Sequence, residues 1–88
     1  MEREEFIAML AAERFGEVVS VEREANGSLD AHAHPFEAKA LVLRGELTIQ
    51  TKEAERLYRA GDIFHLRAQV VHEERYGPAG VSYLVGRK

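Results

Sequence analysis

The sequence predicts a mostly β fold, a small antiparallel barrel preceded by one N-terminal α-helix. Three observations lead there. After Gly16 the chain breaks into short β-branched or apolar runs. Turn signals separate them, at Asn26-Gly27, Ala60-Gly61-Asp62 and Gly77-Pro78-Ala79-Gly80. Helical periodicity is confined to the residues before Gly16. With 88 residues and no linker, repeat or low-complexity stretch, the chain reads as one domain, with a helix over residues 1–15 and a barrel over residues 17–86.

The helix is expected from Glu2 to Arg14, because Phe6, Ile7 and Leu10 share a face with Ala11 beside them. Glu2, Glu4 and Glu5 at its start and Arg14 at its end suit the helix dipole, and Gly16 is the expected stop. Strands follow at Val18–Glu24, Leu29–His34, Lys39–Leu43, Leu47–Thr51, Leu57–Tyr58, Ile63–Leu66, Val70–Glu74 and Val81–Val85. Gly27, Gly45 and Gly61 are expected at turns with positive φ, and Asp62 is expected to bond nearby backbone. The run Ala40-Leu41-Val42-Leu43 is apolar at every position, so both of its faces need cover. The N-terminal helix or a second subunit supplies it, and a homodimer is the expectation. Phe36, Val42, Leu47, Ile49, Ile63, Phe64 and Leu66 are expected in the core or pocket wall.

The formal net charge is −3, with both signs mixed along the chain. No basic stripe marks a nucleic-acid face, so that partner is not expected. There are no cysteines, which excludes disulfides, thiolate metal sites and a cysteine nucleophile. The acidic start lacks an apolar signal core, and no stretch has the length of a membrane span. The expectation is a cytoplasmic protein without a membrane partner.

The histidines carry the chemistry. His32 and His34 are two residues apart, so on a strand both point to one face. His72, from a distant strand, can close a site with them. Three neutral imidazoles suit a first-row transition metal, and zinc, iron, manganese, nickel and copper all accept them.

The spacing of these residues resembles that of the cupin superfamily, in particular its small single-domain bacterial members. The first motif of that family is matched by Gly27, His32-Ala33-His34 and Gly45, although four residues separate Gly27 from His32, one fewer than is usual. The second is matched by Gly61-Asp62 and His72, with Arg67, Gln69 and Tyr76 where proline, glycine and asparagine are usual. Fifteen residues lie between Gly45 and Gly61. The resemblance covers about residues 27 to 76, with Val81–Val85 as a closing strand. It implies a double-stranded β-helix, or jelly-roll, barrel with a metal or ligand site inside.

The departure from the family lies in the carboxylate. The interval before Gly45 puts the family's glutamate position at Ala38, and Glu37 is one residue away. By alternation His32, His34, Phe36 and Ala38 share a face, while Glu37 points to the other. A bulge near Pro35 would turn Glu37 inward as a fourth ligand. Without one, the site holds His32, His34 and His72 and an open coordination position, as a catalytic metal needs. Phe36, Ala38, His65 and Tyr76 are candidates for the pocket or the surroundings of the ligands. Tyr76 shares strand parity with His72, and His65 lies outside the motif positions. Arg67, at the turn before His72, would suit an anionic ligand.

The leading expectation is therefore a metal-binding cupin barrel with a small-molecule pocket and a divalent transition metal. Thiol dioxygenases are among the similar cupins that use three histidines, and isomerases and decarboxylases also occur. Fold and motif do not decide between these activities, or whether there is one. The alternatives are a non-catalytic ligand-binding or sensor cupin, and a decayed, metal-free cupin acting as an interaction protein.

Overall fold

Two long strands organise the chain. The computed structural model describes residues 1–88. Helix α1 (Arg3–Ala12) leads into β1 (Glu17–Arg23), β2 (Ser28–His32), β3 (Ala38–Thr51), β4 (Glu55–Arg59), β5 (Ile63–Leu66) and β6 (His72–Arg87). β3 and β6 pair antiparallel from Ala38↔Arg87 to Thr51↔His72. Each has a different outer neighbour along each half. β1 flanks β6 at Val81–Arg87 and β5 flanks β3 at Ala38–Leu41. At the other end β2 flanks β6 and β4 flanks β3. The result is two four-stranded faces, β1-β6-β3-β5 and β2-β6-β3-β4, built on one continuous ribbon. This is the barrel expected of the sequence.

The ribbon bends where the sequence reads as two strands in each case. Its register slips between Val42 and Arg44 and again between Gly45 and Leu47. Gly45 and Gly80 both have φ of 73° and face each other across the ribbon. A Cβ on Gly45 would overlap the Gly80 carbonyl oxygen, so only glycine permits that crossing. The bend switches the inward parity. In β6, His72, Glu74 and Tyr76 are buried before it, and Val81, Tyr83 and Val85 after it. A strict alternation cannot continue through such a bulge. The segments Lys39–Leu43 and Leu47–Thr51 are therefore one strand, as are the last two expected ones.

The inner faces enclose one apolar cluster, with Ala40, Val42, Leu47, Ile49, Phe64 and Tyr83 at its centre. A second cluster forms outside it. Phe6 and Leu10 of α1, with Phe15 just beyond, pack on Leu41 and Leu84. The apolar run Ala40–Leu43 is thus covered on both faces within the chain. The reasoning that led to a homodimer does not require a second copy. Ile7 and Ala11, expected beside Phe6 and Leu10, are exposed.

Other details depart from expectation at the turns. Arg14, at φ 67°, takes the left-handed position after α1 in place of Gly16. Asn26, at φ 59°, does the same in place of Gly27, which has no positive φ. A short polar side chain makes that conformation accessible to asparagine. Asp62 behaves as expected: its Oδ2 accepts from the Arg59 backbone N–H at 2.8 Å. No helix is long and apolar enough to cross a membrane.

Candidate metal centre

Strand pairing brings the three histidines together. His32 ends β2 directly opposite His72, which opens β6. Their ring centroids are 4.2 Å apart. His34 follows in the loop after β2, its centroid 4.9 Å from that of His72 and 5.5 Å from that of His32. One ring nitrogen from each lies within 4.8 Å of those of the other two.

The turn before β6 fixes the rest. Gln69, where the family favours glycine, has φ 67° and donates its N–H to the His34 carbonyl at 2.7 Å. The next residue, Val70, accepts from His72 Nδ1 at 3.0 Å. One turn therefore ties the His34 loop to the His72 ring. The Asp30 carbonyl likewise receives His32 Nδ1 at 2.8 Å. A carbonyl oxygen only accepts, so in the neutral rings both Nδ1 atoms carry the hydrogen. Each Nε2 is left with its lone pair, and orientation of this kind is what metal-binding histidines receive from outer partners.

His72 is buried, and its Nε2 has no hydrogen-bond partner. An unpaired buried polar atom costs about 1–3 kcal/mol unless something meets it. His34 is held below the usual histidine range, first by burial and then by the charges that His72 and His32 would carry. It therefore favours the neutral form that a metal ligand must have. The donor set and the orphaned nitrogen fit a divalent transition metal.

A cavity of about 260 Å³ opens beside the histidines. Its lining includes His32, His34, Phe36, Ala38, Glu74 and Tyr83, with Arg23 and Arg87 among the polar groups. Phe36 stacks on His34, with ring centroids 4.6 Å apart and planes 4° from parallel. The Arg87 guanidinium lies over the same Phe36 ring, 5.0 Å from its centroid. Ala38 faces the cavity as alternation predicts.

Glu37 does not join the cluster. Its Oε2 sits 2.5 Å from His65 Nε2 on the exposed side. That hydrogen bond, more than any other cause, holds the Glu37 carboxyl below the usual carboxylate range. The register irregularity in this region lies between Leu29 and His32, upstream of Pro35, and does not turn Glu37 inward. His65 is thereby occupied away from the pocket. Arg67 is outside the cavity lining too, and the guanidinium groups there are those of Arg23 and Arg87.

Sequence reasoning missed Glu74. Its carboxylate is buried, with Oε2 3.2 Å from His72 Nε2 and 3.5 Å from His32 Nε2. The 3.2 Å approach lacks hydrogen-bond geometry, so the His72 nitrogen stays unpaired. Oε1 accepts from the Tyr76 hydroxyl at 3.1 Å. Burial first, and then the Glu74 charge, push the Tyr76 hydroxyl above its usual range, so it remains a donor. The signal was available: the parity that carries His72 and Tyr76 inward carries Glu74 inward as well.

Residues 19–76 match the family model described as "Cupin domain". Among solved structures, the chain is similar to an RmlC-like cupin from Shewanella frigidimarina, with TM-score 0.68, 20% identity and coverage of 80% of this chain and 63% of that one. A cupin-like protein from Thermotoga maritima gives TM-score 0.66 and 25% identity, covering 78% and 54%. Drosophila melanogaster CENP-C, in its structure bound to CAL1, gives TM-score 0.71 and 15% identity, covering 83% and 65%. The chain thus spans about half to two thirds of the length of these structures. No curated protein matches the sequence.

Proposed function

This chain belongs to the cupin domain family, and on that premise we propose that His32, His34 and His72 hold one divalent transition metal ion beside a small-molecule pocket. The observation that carries the reading is His72 Nε2, buried, without a hydrogen-bond partner, and close to two further imidazoles. Backbone carbonyls at Asp30 and Val70 aim two of the three rings. Phe36 backs the third. When bound, such an ion supplies Lewis acidity or a centre for oxygen activation.

The pocket also suggests a class of ligand. Arg23 and Arg87 are cationic groups on an otherwise largely apolar wall. Guanidinium groups recognise carboxylates with two parallel hydrogen bonds, so a small carboxylate is the favoured ligand. The apolar lining from Leu29, Phe64, Leu66 and Val85 would take its hydrocarbon part.

The competing reading is a metal-free interaction protein. The likeness to the CENP-C structure concerns the fold, and a decayed site has no need for aimed imidazoles. Substitution separates the two. His34→Ala should abolish stoichiometric metal uptake while the protein stays folded. Retention of one metal per chain by that variant would sink the ligand assignment.

A further inference from the structure

Glu74 is the one buried carboxylate of this chain, and it lies among the histidines. A carboxylate removed from water requires compensating charge or full hydrogen bonding. No lysine or arginine pairs with it; its ionic neighbours are His32 and His72. The Tyr76 hydroxyl accounts for Oε1 alone. Oε2 instead lies beside the Nε2 atoms of both rings, which keep their lone pairs while each Nδ1 donates to a carbonyl. Oε2 thus lies 3.5 Å and 3.2 Å from the two nitrogens, and in the neutral rings no hydrogen stands between them. A cation at their centre removes that repulsion.

The separations of Glu74 from His32 and His72 are those of donors on one ion. With donor distances of roughly 2.0–2.2 Å, two corners of a tetrahedral site are about 3.4 Å apart. The Glu74 oxygen lies 3.2 Å and 3.5 Å from the two imidazole nitrogens. Ala38, on the facing strand, has no side chain long enough to compete for the same space. We propose that Glu74, from β6, is the carboxylate that completes the three-histidine set, with Oε2 as the fourth donor and Tyr76 locking Oε1. This rests on the three-histidine reading above and adds a ligand to it. The site then carries three nitrogens and one oxygen, and its net charge is one unit lower than that of three neutral histidines alone.

The test is a titration of the metal-free protein with cobalt(II), followed by calorimetry and by the visible spectrum. Wild type, Glu74→Gln, Glu74→Asp and His72→Ala are compared, each checked for folding by circular dichroism. Glu74→Gln keeps the shape and removes the charge. It should weaken cobalt binding by more than about 100-fold, beyond the roughly 10–100-fold expected of a group that only orients a ligand. The cobalt absorption bands should shift as well. Glu74→Asp should recover part of the affinity and serves if the glutamine variant does not fold. Unchanged affinity and spectrum in Glu74→Gln, with uptake lost in His72→Ala, would overturn the carboxylate assignment alone. A spectrum unchanged despite about tenfold weaker binding would also overturn it, making Glu74 a positioning residue. No cobalt uptake by wild type would overturn this proposal together with the three-histidine reading.

Discussion

Replacing Gly45 by alanine tests the bend that makes one ribbon out of β3 and β6. The added methyl meets two separate penalties. At φ 73° an L-residue loses about 1–2 kcal/mol to left-handed strain. The methyl also overlaps the Gly80 carbonyl, a backbone atom that cannot swing aside. Forcing a methyl into a filled space costs about 1–3 kcal/mol. The sum is roughly 2–5 kcal/mol. In a domain of this size each kcal/mol moves the midpoint by about 4–8 °C, so Tm should fall by at least about 8 °C. Gly61→Ala is the control. It has φ of 93° but nothing within 4 Å of the added atom, so only the conformational penalty of about 1–2 kcal/mol applies. Thermal unfolding of both metal-free variants, followed by circular dichroism, isolates the crossing. Gly45→Ala should lie well below Gly61→Ala. Equal losses would refute the close approach of the two strands and the parity switch built on it.

Four further outcomes are expected. Leu10→Ala opens a void between α1 and the outer face of the ribbon, where Leu10 is fully buried. It should cost about 2–5 kcal/mol by denaturant titration, and a loss below about 1 kcal/mol would mean that α1 does not seal that face. Glu37→Gln should leave metal affinity unchanged, since Glu37 bonds His65 outside the cluster. In the wild type, the lowered Glu37 carboxyl stabilises the fold above the ordinary carboxylate range, and that contribution is lost as pH falls through its lowered value. Carbon-13 NMR titration should show the low midpoint, and His65→Asn should return it toward normal; an unshifted wild-type midpoint would contradict the pairing. Small carboxylates should raise Tm in a thermal-shift panel where their amide counterparts do not. The effect should vanish in an Arg23→Ala, Arg87→Ala double variant, and an identical response to both ligand classes would count against an anion pocket.

The sequence made the histidine set legible because alternation and motif spacing act over a few residues. His32 and His34 needed only local geometry, and His72 only a fixed distance from Gly61. The same reasoning placed Ala38 toward the cavity and Glu37 away from it. What it could not show depends on contacts distant in sequence. Nothing local says that Glu37 will meet His65, or that Arg87, near the end of β6, lies against Phe36. The strand count failed where facing glycines let β3 and β6 pass through a bend without ending. Glu74 was the avoidable omission. The first motif's carboxylate position holds Ala38, while strand parity in the second turns Glu74 inward with His72 and Tyr76. The turn residues show the converse lesson. Gln69 and Arg14 hold left-handed positions that a sequence reading assigns to glycine, because neighbouring pairings hold their backbone there.

Elemental analysis tests the central claim most directly, on protein purified without a histidine tag or chelator, and then on the metal-free form titrated across the first-row divalent ions. The three-histidine account predicts about one transition metal per chain, lost in His72→Ala. A folded wild-type protein that carries no metal and takes up none of those ions would contradict it.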